Sequence, residues 1–264
     1  MQLNSQNYFS KEAMQKYMSV SQYKDFAGSM GMVGCEHRAL AKLRGDWEMT
    51  MTLPLLIGSY VDSHFEGTLD VWSAQHPEIF KKDGGLKSQY EHANSFIARI
   101  ERDPYFMKFA SGSTQDIFTG EIFGVEWKCK VDFYQPKVHI TDLKIMQEIR
   151  KRFWVKDYGN MSFVHYWGYD IQGAIYQKLV EVNTGELLPF FIAGASKEKE
   201  PDIEIIGFTQ KDLDDTKSIV ENNVQRIIKL KSGDINPDRC GVCDYCKHTK
   251  VLSKPVHFSE LIKL

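Results

Sequence analysis

Apolar residues along this chain recur first at helical and then at alternating spacing. Between residues 10 and 30 the spacing predicts a helix, with Ser10 as its cap and Met14, Tyr17 and Met18 on one side. A second helix is predicted from Cys35 to Leu43, ending near Gly45. A third follows Pro54, where Leu56, Ile57, Tyr60, Val61 and Phe65 fall on one face. Tyr90–Arg102 continues the pattern until Asp103-Pro104 stops it. The period then shortens. Ser113–Phe118, Glu121–Phe133 and Val138–Ile145 are rich in Ile, Val, Phe and Trp. They are separated by turn signals at Thr119-Gly120 and Gln135-Pro136, and predict an antiparallel meander. A helix from about Tyr166 to Val182 comes next, then strands at Leu188–Ala195 and Ile203–Thr209 flanking a charged loop. A helix from about Asp212 to Leu230 leads into a Cys-rich tail. This order predicts an α/β (α+β) fold of one domain over residues 1–264, with N-terminal helices over 1–50 and the tail over 235–264.

Composition narrows the class. Among 264 residues, 42% are hydrophobic, 12% aromatic and 26% charged, which suits a folded chain and not a disordered one. No apolar run approaches the roughly 20 residues that span a bilayer, so no membrane is expected. The first residues lack the apolar stretch of a secretory signal, which makes the cytoplasm the expected compartment. There the five cysteines are expected to be reduced, and clustered ones to bind metal. The net charge of -2 argues against a uniformly basic nucleic-acid coat, but the charge is unevenly placed. Asp142–Lys156 holds five basic and two acidic residues, and Arg226–Lys254 seven and three.

The candidate chemistry begins with two short segments on adjacent predicted strands, Lys130-Val131-Asp132-Phe133 and Thr141-Asp142-Leu143-Lys144. Residues i and i+2 of a strand share a face, so Asp142 and Lys144 project together while Leu143 turns inward. A hairpin turning near Gln135-Pro136 brings Asp132 beside Asp142. Two carboxylates and an ammonium among apolar neighbours are costly unless paired or metal-bound. Hard oxygen ligands suit Mg2+ or Mn2+. Taken alone, the triplet also suits a surface ion pair.

The order Asp…Asp-x-Lys across a hairpin resembles the PD-(D/E)xK nuclease superfamily, and the local text KCKVDFYQPKVHITDLKI resembles its RecB-type and phage RecE-type branch. Val131 stands where that branch often has proline. Upstream, Gly58 is followed four residues later by Asp62, where the branch has histidine, and His64 lies two further on. Residues two apart on a helix point about 200° apart, so one of them faces the site; Asp62 keeps the register. Downstream, Gln172 and Tyr176 match the branch's Q-x-x-x-Y element and share a helix face, with small Gly173 and Ala174 between them. The resemblance implies a restriction-endonuclease-like core, a central mixed β-sheet flanked by helices. It implies catalytic roles for Asp132, Asp142, Lys144, Gln172 and Tyr176. It implies Mg2+ held by Asp62, Asp132, Asp142 and the Leu143 carbonyl.

Cys240, Cys243 and Cys246 form a C-x-x-C-x-x-C run. Three thiolates need a fourth ligand for a closed tetrahedral site. His248 is near in sequence and suits zinc; Cys35 would complete an all-thiolate set for zinc or an iron–sulfur cluster. The set resembles the AddB branch of RecB-type nucleases, in which one cysteine before the core and three after it hold a [4Fe–4S] cluster. The last spacing is shorter here. Either metal would staple the N-terminal helices to the tail. Cys129 reads as a small buried hydrophobe.

Arg38, Lys42 and Arg44 lie on the helix after Cys35, where related phage exonucleases approach the DNA end; arginine binds phosphate bidentately. Arg150, Lys151, Arg152 and Lys156 follow the Asp-x-Lys strand, with Trp154 and Tyr158 offering stacking faces. The expectation is therefore a Mg2+-dependent exonuclease acting 5′ to 3′ on ends of linear double-stranded DNA, in phage-type recombination. By resemblance it works with a single-strand annealing protein, as a ring-shaped homo-oligomer. The rivals are an endonuclease or CRISPR-adaptation nuclease of the same superfamily, and a non-catalytic DNA-end-binding module with a structural metal.

Overall fold

The computed structural model of the protein describes residues 1–48 and 50–262. In chain order the helices α1 (Lys11–Lys16), α2 (Val20–Ala27), α3 (Glu36–Arg44), α4 (Leu53–Phe65), α5 (Leu69–Gln75), α6 (His92–Glu101) and α7 (Pro104–Phe109) precede the sheet. Strands β1 (Ser113–Ile122), β2 (Val125–Gln135) and β3 (His139–Met146) follow. A small hairpin of β4 (Arg152–Val155) and β5 (Gly159–Ser162) leads to α8 (Phe163–Trp167) and α9 (Tyr169–Thr184). Strands β6 (Phe190–Ser196) and β7 (Ile203–Gly207) complete the sheet, and α10 (Gln210–Ser232), α11 (Asp244–His248) and a short 3-10 turn (Phe258–Ile262) follow.

The five-stranded sheet runs β1-β2-β3-β6-β7. The pair β3–β6 is parallel and the other neighbours antiparallel, so the sheet is mixed, as expected. Apolar cores fill both sides. One joins Ile140 and Met146 of β3 to Ile175 and Leu179 of α9 and Val220 and Val224 of α10. The other joins Leu143 of β3 to Val61 of α4 and Phe96 of α6. Residues 140, 142, 144 and 146 thus face α9, and 143 faces away. Gly173 permits this approach. A Cβ there would stand 2.7 Å from the Phe190 ring and 3.2 Å from Leu213.

Three stretches differ from the prediction. The 10–30 helix is two helices, because Met18 is extended and pairs with β2: its N–H donates to Glu126 O (2.8 Å) and its carbonyl accepts from Lys128 N (2.9 Å). Ser19 then caps α2, accepting from Gln22 N. Strand β1 runs through Thr119-Gly120 and turns at Phe123-Gly124, both at positive φ (57° and 76°), the backbone of a two-residue hairpin turn. The basic stretch after the Asp-x-Lys strand, for which no element was predicted, forms the β4–β5 hairpin. It is held by Phe153 stacked on Tyr166 at 4.0 Å, with Asp157 (φ 70°) and Gly159 (φ 78°) at its turn.

Candidate active site and thiol cluster

Strands β2 and β3 pair at Gln135↔His139, Tyr134↔Ile140 and Phe133↔Thr141, and there the ladder ends. One residue further, the Asp132 carboxylate takes the place of a main-chain acceptor: Leu143 N–H donates to its Oδ2 at 2.9 Å. Side chains thus fill the gap where the strands part. Asp132 Oδ1 lies 3.4 Å from Gln115 Nε2, and Gln115 sits at positive φ (60°) in the facing part of β1. On β3, Asp142 is 2% exposed and ion-paired through Oδ2 with the Lys144 ammonium. Its Oδ1 accepts from Gln172 Nε2 of α9 at 2.5 Å. Lys144 Nζ also donates to the Leu143 carbonyl (3.2 Å) and lies 5.6 Å from the centre of the Tyr169 ring.

These groups open into a cavity of about 620 Å³. Asp62 of α4, Tyr176 of α9, and Lys24, Lys128 and Lys130 share its wall with Tyr8 and Phe9. The structure therefore brings Asp62, Asp132, Asp142, Lys144, Gln172 and Tyr176 together. His64 turns outward to Glu101, 2.8 Å away, so of the two helix positions it is Asp62 that lines the cavity.

Charge is concentrated here at the expense of hydration. Burial, reinforced by Asp142 against the pull of Lys144, raises the Asp62 carboxyl to about 7. Burial and then the Asp142 charge push Asp132 well above the usual carboxylate range. Burial works against an ammonium at Lys144, but Asp142 and Asp132 outweigh it and hold its pKa above that of an ordinary lysine. Burial and then Asp142 also raise the Tyr176 hydroxyl. The carboxylates outnumber the cation among them. Asp142 Oδ2 is buried with the Lys144 ammonium against it. Three carboxylates sharing one ammonium, beside the Leu143 carbonyl, form a hard-oxygen set that fits a divalent cation.

The basic residues divide between surface ion pairs and the cavity wall. Arg38 and Lys42 clasp Asp25 of α2 (3.6 and 2.5 Å), and Arg44 pairs with Asp46 (2.8 Å). None of the three lines the cavity. Arg150 reaches Glu204 (3.2 Å), Lys151 donates to Gln147 (2.7 Å), and Arg152 begins β4, around a separate recess of about 290 Å³. The cations in the cavity are Lys24, Lys128, Lys130 and Lys144. Lys24 donates to Trp167 O at 3.0 Å; burial and then the Lys144 charge lower its pKa to about 8. Lys128 is buried under Tyr8, whose carbonyl accepts from Nζ at 2.5 Å, and burial lowers it to about 8. The signal for Lys128 and Lys130 was present, since with Asp132 they alternate along β2. Lys24 and Tyr8 carry no comparable signal.

The second cluster lies at the end of the chain. The Sγ atoms of Cys35, Cys240, Cys243 and Cys246 all fall within 4.8 Å of one another. Cys35 and Cys246 are 3.5 Å apart, and Cys240 and Cys246 3.9 Å. Two main-chain donors point at the sulfurs, Cys243 N to Cys240 Sγ and Cys246 N to Cys243 Sγ, each at 3.4 Å. Gly241, at φ 78°, makes the turn between them. Burial works against ionising Cys240, but the N–H groups of Cys243 and Val242 bring its thiol down to about 7. Burial raises Cys35. His248 packs beside Trp47, ring centres 5.5 Å apart, and is not among the clustered ligands. Cys129 is fully buried in the sheet core.

A model of the family described as a PDDEXK-like domain of unknown function (DUF3799) matches residues 19–249. A solved chain from Eubacterium rectale, described as a candidate exonuclease, is 54% identical. It superposes with a TM-score of 0.96 over 100% of this chain and 99% of its own. Among curated proteins none matches. No helix among the described residues is long and apolar enough to cross a membrane. Read with the sheet topology and the Asp…Asp-x-Lys geometry, these findings place the chain in the PDDEXK-like family, within the PD-(D/E)xK nuclease superfamily.

Proposed function

We propose that the protein is a Mg2+- or Mn2+-dependent exodeoxyribonuclease that degrades linear double-stranded DNA from its ends, 5′ to 3′. The observation that carries this is the convergence of Asp62, Asp132, Asp142 and Lys144 on one cavity, with Gln172 hydrogen-bonded to Asp142. Asp62, Asp132, Asp142 and the Leu143 carbonyl would hold the cation. When bound it supplies Lewis-acid stabilisation of charge on the attacking and leaving oxygens. Lys144 donates to and orients the attacking water. Gln172 fixes the rotamer of Asp142, as an outer partner of a metal-holding carboxylate does. Tyr176, one turn further along α9, closes the wall beside it.

Lys24 and Lys130 suit the phosphate backbone of the entering strand. Trp154 (74% exposed) and Tyr158 (64%) on the β4–β5 hairpin offer unpartnered faces for stacking on bases, with Arg152 beside them. Under this reading residues 1–264 act as one nuclease domain in phage-type recombination. A single-strand annealing protein takes the 3′ overhang, and further copies complete a ring.

The test is digestion of end-labelled linear duplex beside covalently closed circular duplex of the same sequence, with Mg2+. Progressive loss of 5′ label with the circle intact is expected. Cleavage of the circle would make the protein an endonuclease. Binding without cleavage by the wild type would make it an end-binding module, and full activity in Lys144→Ala would defeat the catalytic assignment of the cluster.

A further inference from the structure

We infer that the four cysteines hold a single tetrahedral ion of the zinc class and not a four-iron cluster. The argument is one of size. Thiolates bound at about 2.3 Å to one tetrahedral ion stand about 3.8 Å apart. In a four-iron cubane each thiolate ends on a different iron, and neighbouring sulfurs stand about 6 Å apart. Here the separations include 3.5 and 3.9 Å, and every pair lies within 4.8 Å. That space accepts one ion and excludes a cubane.

The sequence does not decide this, because a C-x-x-C-x-x-C run serves clusters as well as zinc. The fold makes the shorter separation by two devices. The turns at Gly241 and Val242 aim the N–H of Cys243 at Cys240 Sγ, and the turn after Cys243 aims the N–H of Cys246 at Cys243 Sγ. Such donors offset thiolate charge around one ion. Cys35 arrives from the start of α3, and its place is fixed from outside the cluster. Glu36 accepts from Arg226 Nη2 (2.9 Å) and from Asp238 N (2.7 Å), and Arg226 also reaches Asp238 (2.8 Å). Arg239 Nη2 donates to the Cys246 carbonyl at 3.1 Å. These bonds fix the α3 terminus against the tail at the depth one ion requires.

The ion is structural, since all four positions of its shell are protein sulfur. It fastens α3 to the tail. Through Arg38 and Lys42, which hold Asp25, it also steadies α2, the helix that carries Lys24 into the cavity wall. This inference is independent of the nuclease reading, and metal counting tests it without any activity.

The full chain is purified under nitrogen from cells supplied with both iron and zinc, then analysed for metals and acid-labile sulfide. The expected result is about one zinc per chain, no sulfide and no absorption near 400 nm. Exchange with Co2+ should then give the visible bands of a tetrahedral thiolate site, and Cys243→Ser should lose the zinc. Iron and sulfide near four per chain, a single iron without sulfide, or no stoichiometric metal would each overturn the inference. These outcomes are read on the unmodified protein, so a poorly folded Cys243→Ser does not affect them.

Discussion

The two polar clusters are built on opposite terms. The oxygen cluster sits where β2 and β3 part, and its members come from elements already fixed by two apolar cores. It opens on a cavity, and its carboxylates crowd one another. The sulfur cluster is closed, and its ligands come from a helix start and a tail with little apolar packing of their own, where Cys246 is the buried residue of α11. One site is held by the fold and strains it; the other helps to hold the fold. A ligand removed from the first should therefore abolish chemistry and spare stability, and a ligand removed from the second should do the reverse.

The largest effect is expected from Asp142→Asn. The substitution keeps the shape and the neighbour Gln172 but removes the charge that pairs with Lys144 and would hold the cation. Hydrolysis of linear duplex should fall on the order of 10³-fold, with the melting temperature unchanged or higher. Loss of activity accompanied by unfolding would erase the contrast between the clusters.

Next in size is a pair of melting curves with opposite signs. Cys243→Ser should lower the melting temperature by roughly 10 °C, because ion binding in a closed thiolate site contributes to folding free energy. Asp132→Asn, measured without divalent metal, should raise it by about 3 °C, since one of three crowded carboxylates is neutralised while its carbonyl oxygen still accepts from Leu143 N. Differential scanning fluorimetry separates the two. Shifts of the same sign would mean that the oxygen cluster is an ordinary structural ion pair.

How much of this was readable in advance follows from the range of the interactions. Asp132, Asp142 and Lys144 were legible because strand alternation and hairpin register are local rules. Gln172 and Tyr176 were legible by helical spacing on one face. Cys35 could be matched to the tail only through resemblance, because 205 residues separate it from Cys240. The partners of the cations were hidden for the same reason. Arg38 and Lys42 stand on the predicted helix, but whether they are free depends on Asp25, on a different helix. The break of the 10–30 helix at Met18 arises from pairing with Glu126 and Lys128, a contact no local propensity encodes. The β4–β5 hairpin did leave a trace, the Asp157-Tyr158-Gly159 turn, but clustered basic residues hid it.

A smaller effect tests whether Gln172 acts through Asp142. Gln172 is buried, and its amide meets the carboxylate at the oxygen that does not face Lys144. Gln172→Ala should weaken activation by Mg2+ about 10- to 100-fold in the concentration required, with less change in the rate at saturating metal. A purely structural role would leave metal dependence unmoved and lower stability instead. Titration of activity against Mg2+ distinguishes the two.

The smallest effect is expected two residues from Asp62. His64 shares α4 with it but turns to Glu101, and that pair is half exposed, at 31% and 50%. Exposed pairs of this kind contribute less than about 1 kcal/mol. His64→Ala should therefore leave hydrolysis within about twofold and melting within about 3 °C. Asp62→Ala, from the same helix and under the same assay, should lose activity at least tenfold through its place in the cavity. The relatives that the sequence resembles have histidine at the Asp62 position, so Asp62→His is the informative third variant. If it retains activity while His64→Ala is silent, the helix register alone assigns the ligand position. If His64→Ala is as damaging as Asp62→Ala, α4 presents a different face to the substrate, and the oxygen cluster must be redrawn around the outward histidine.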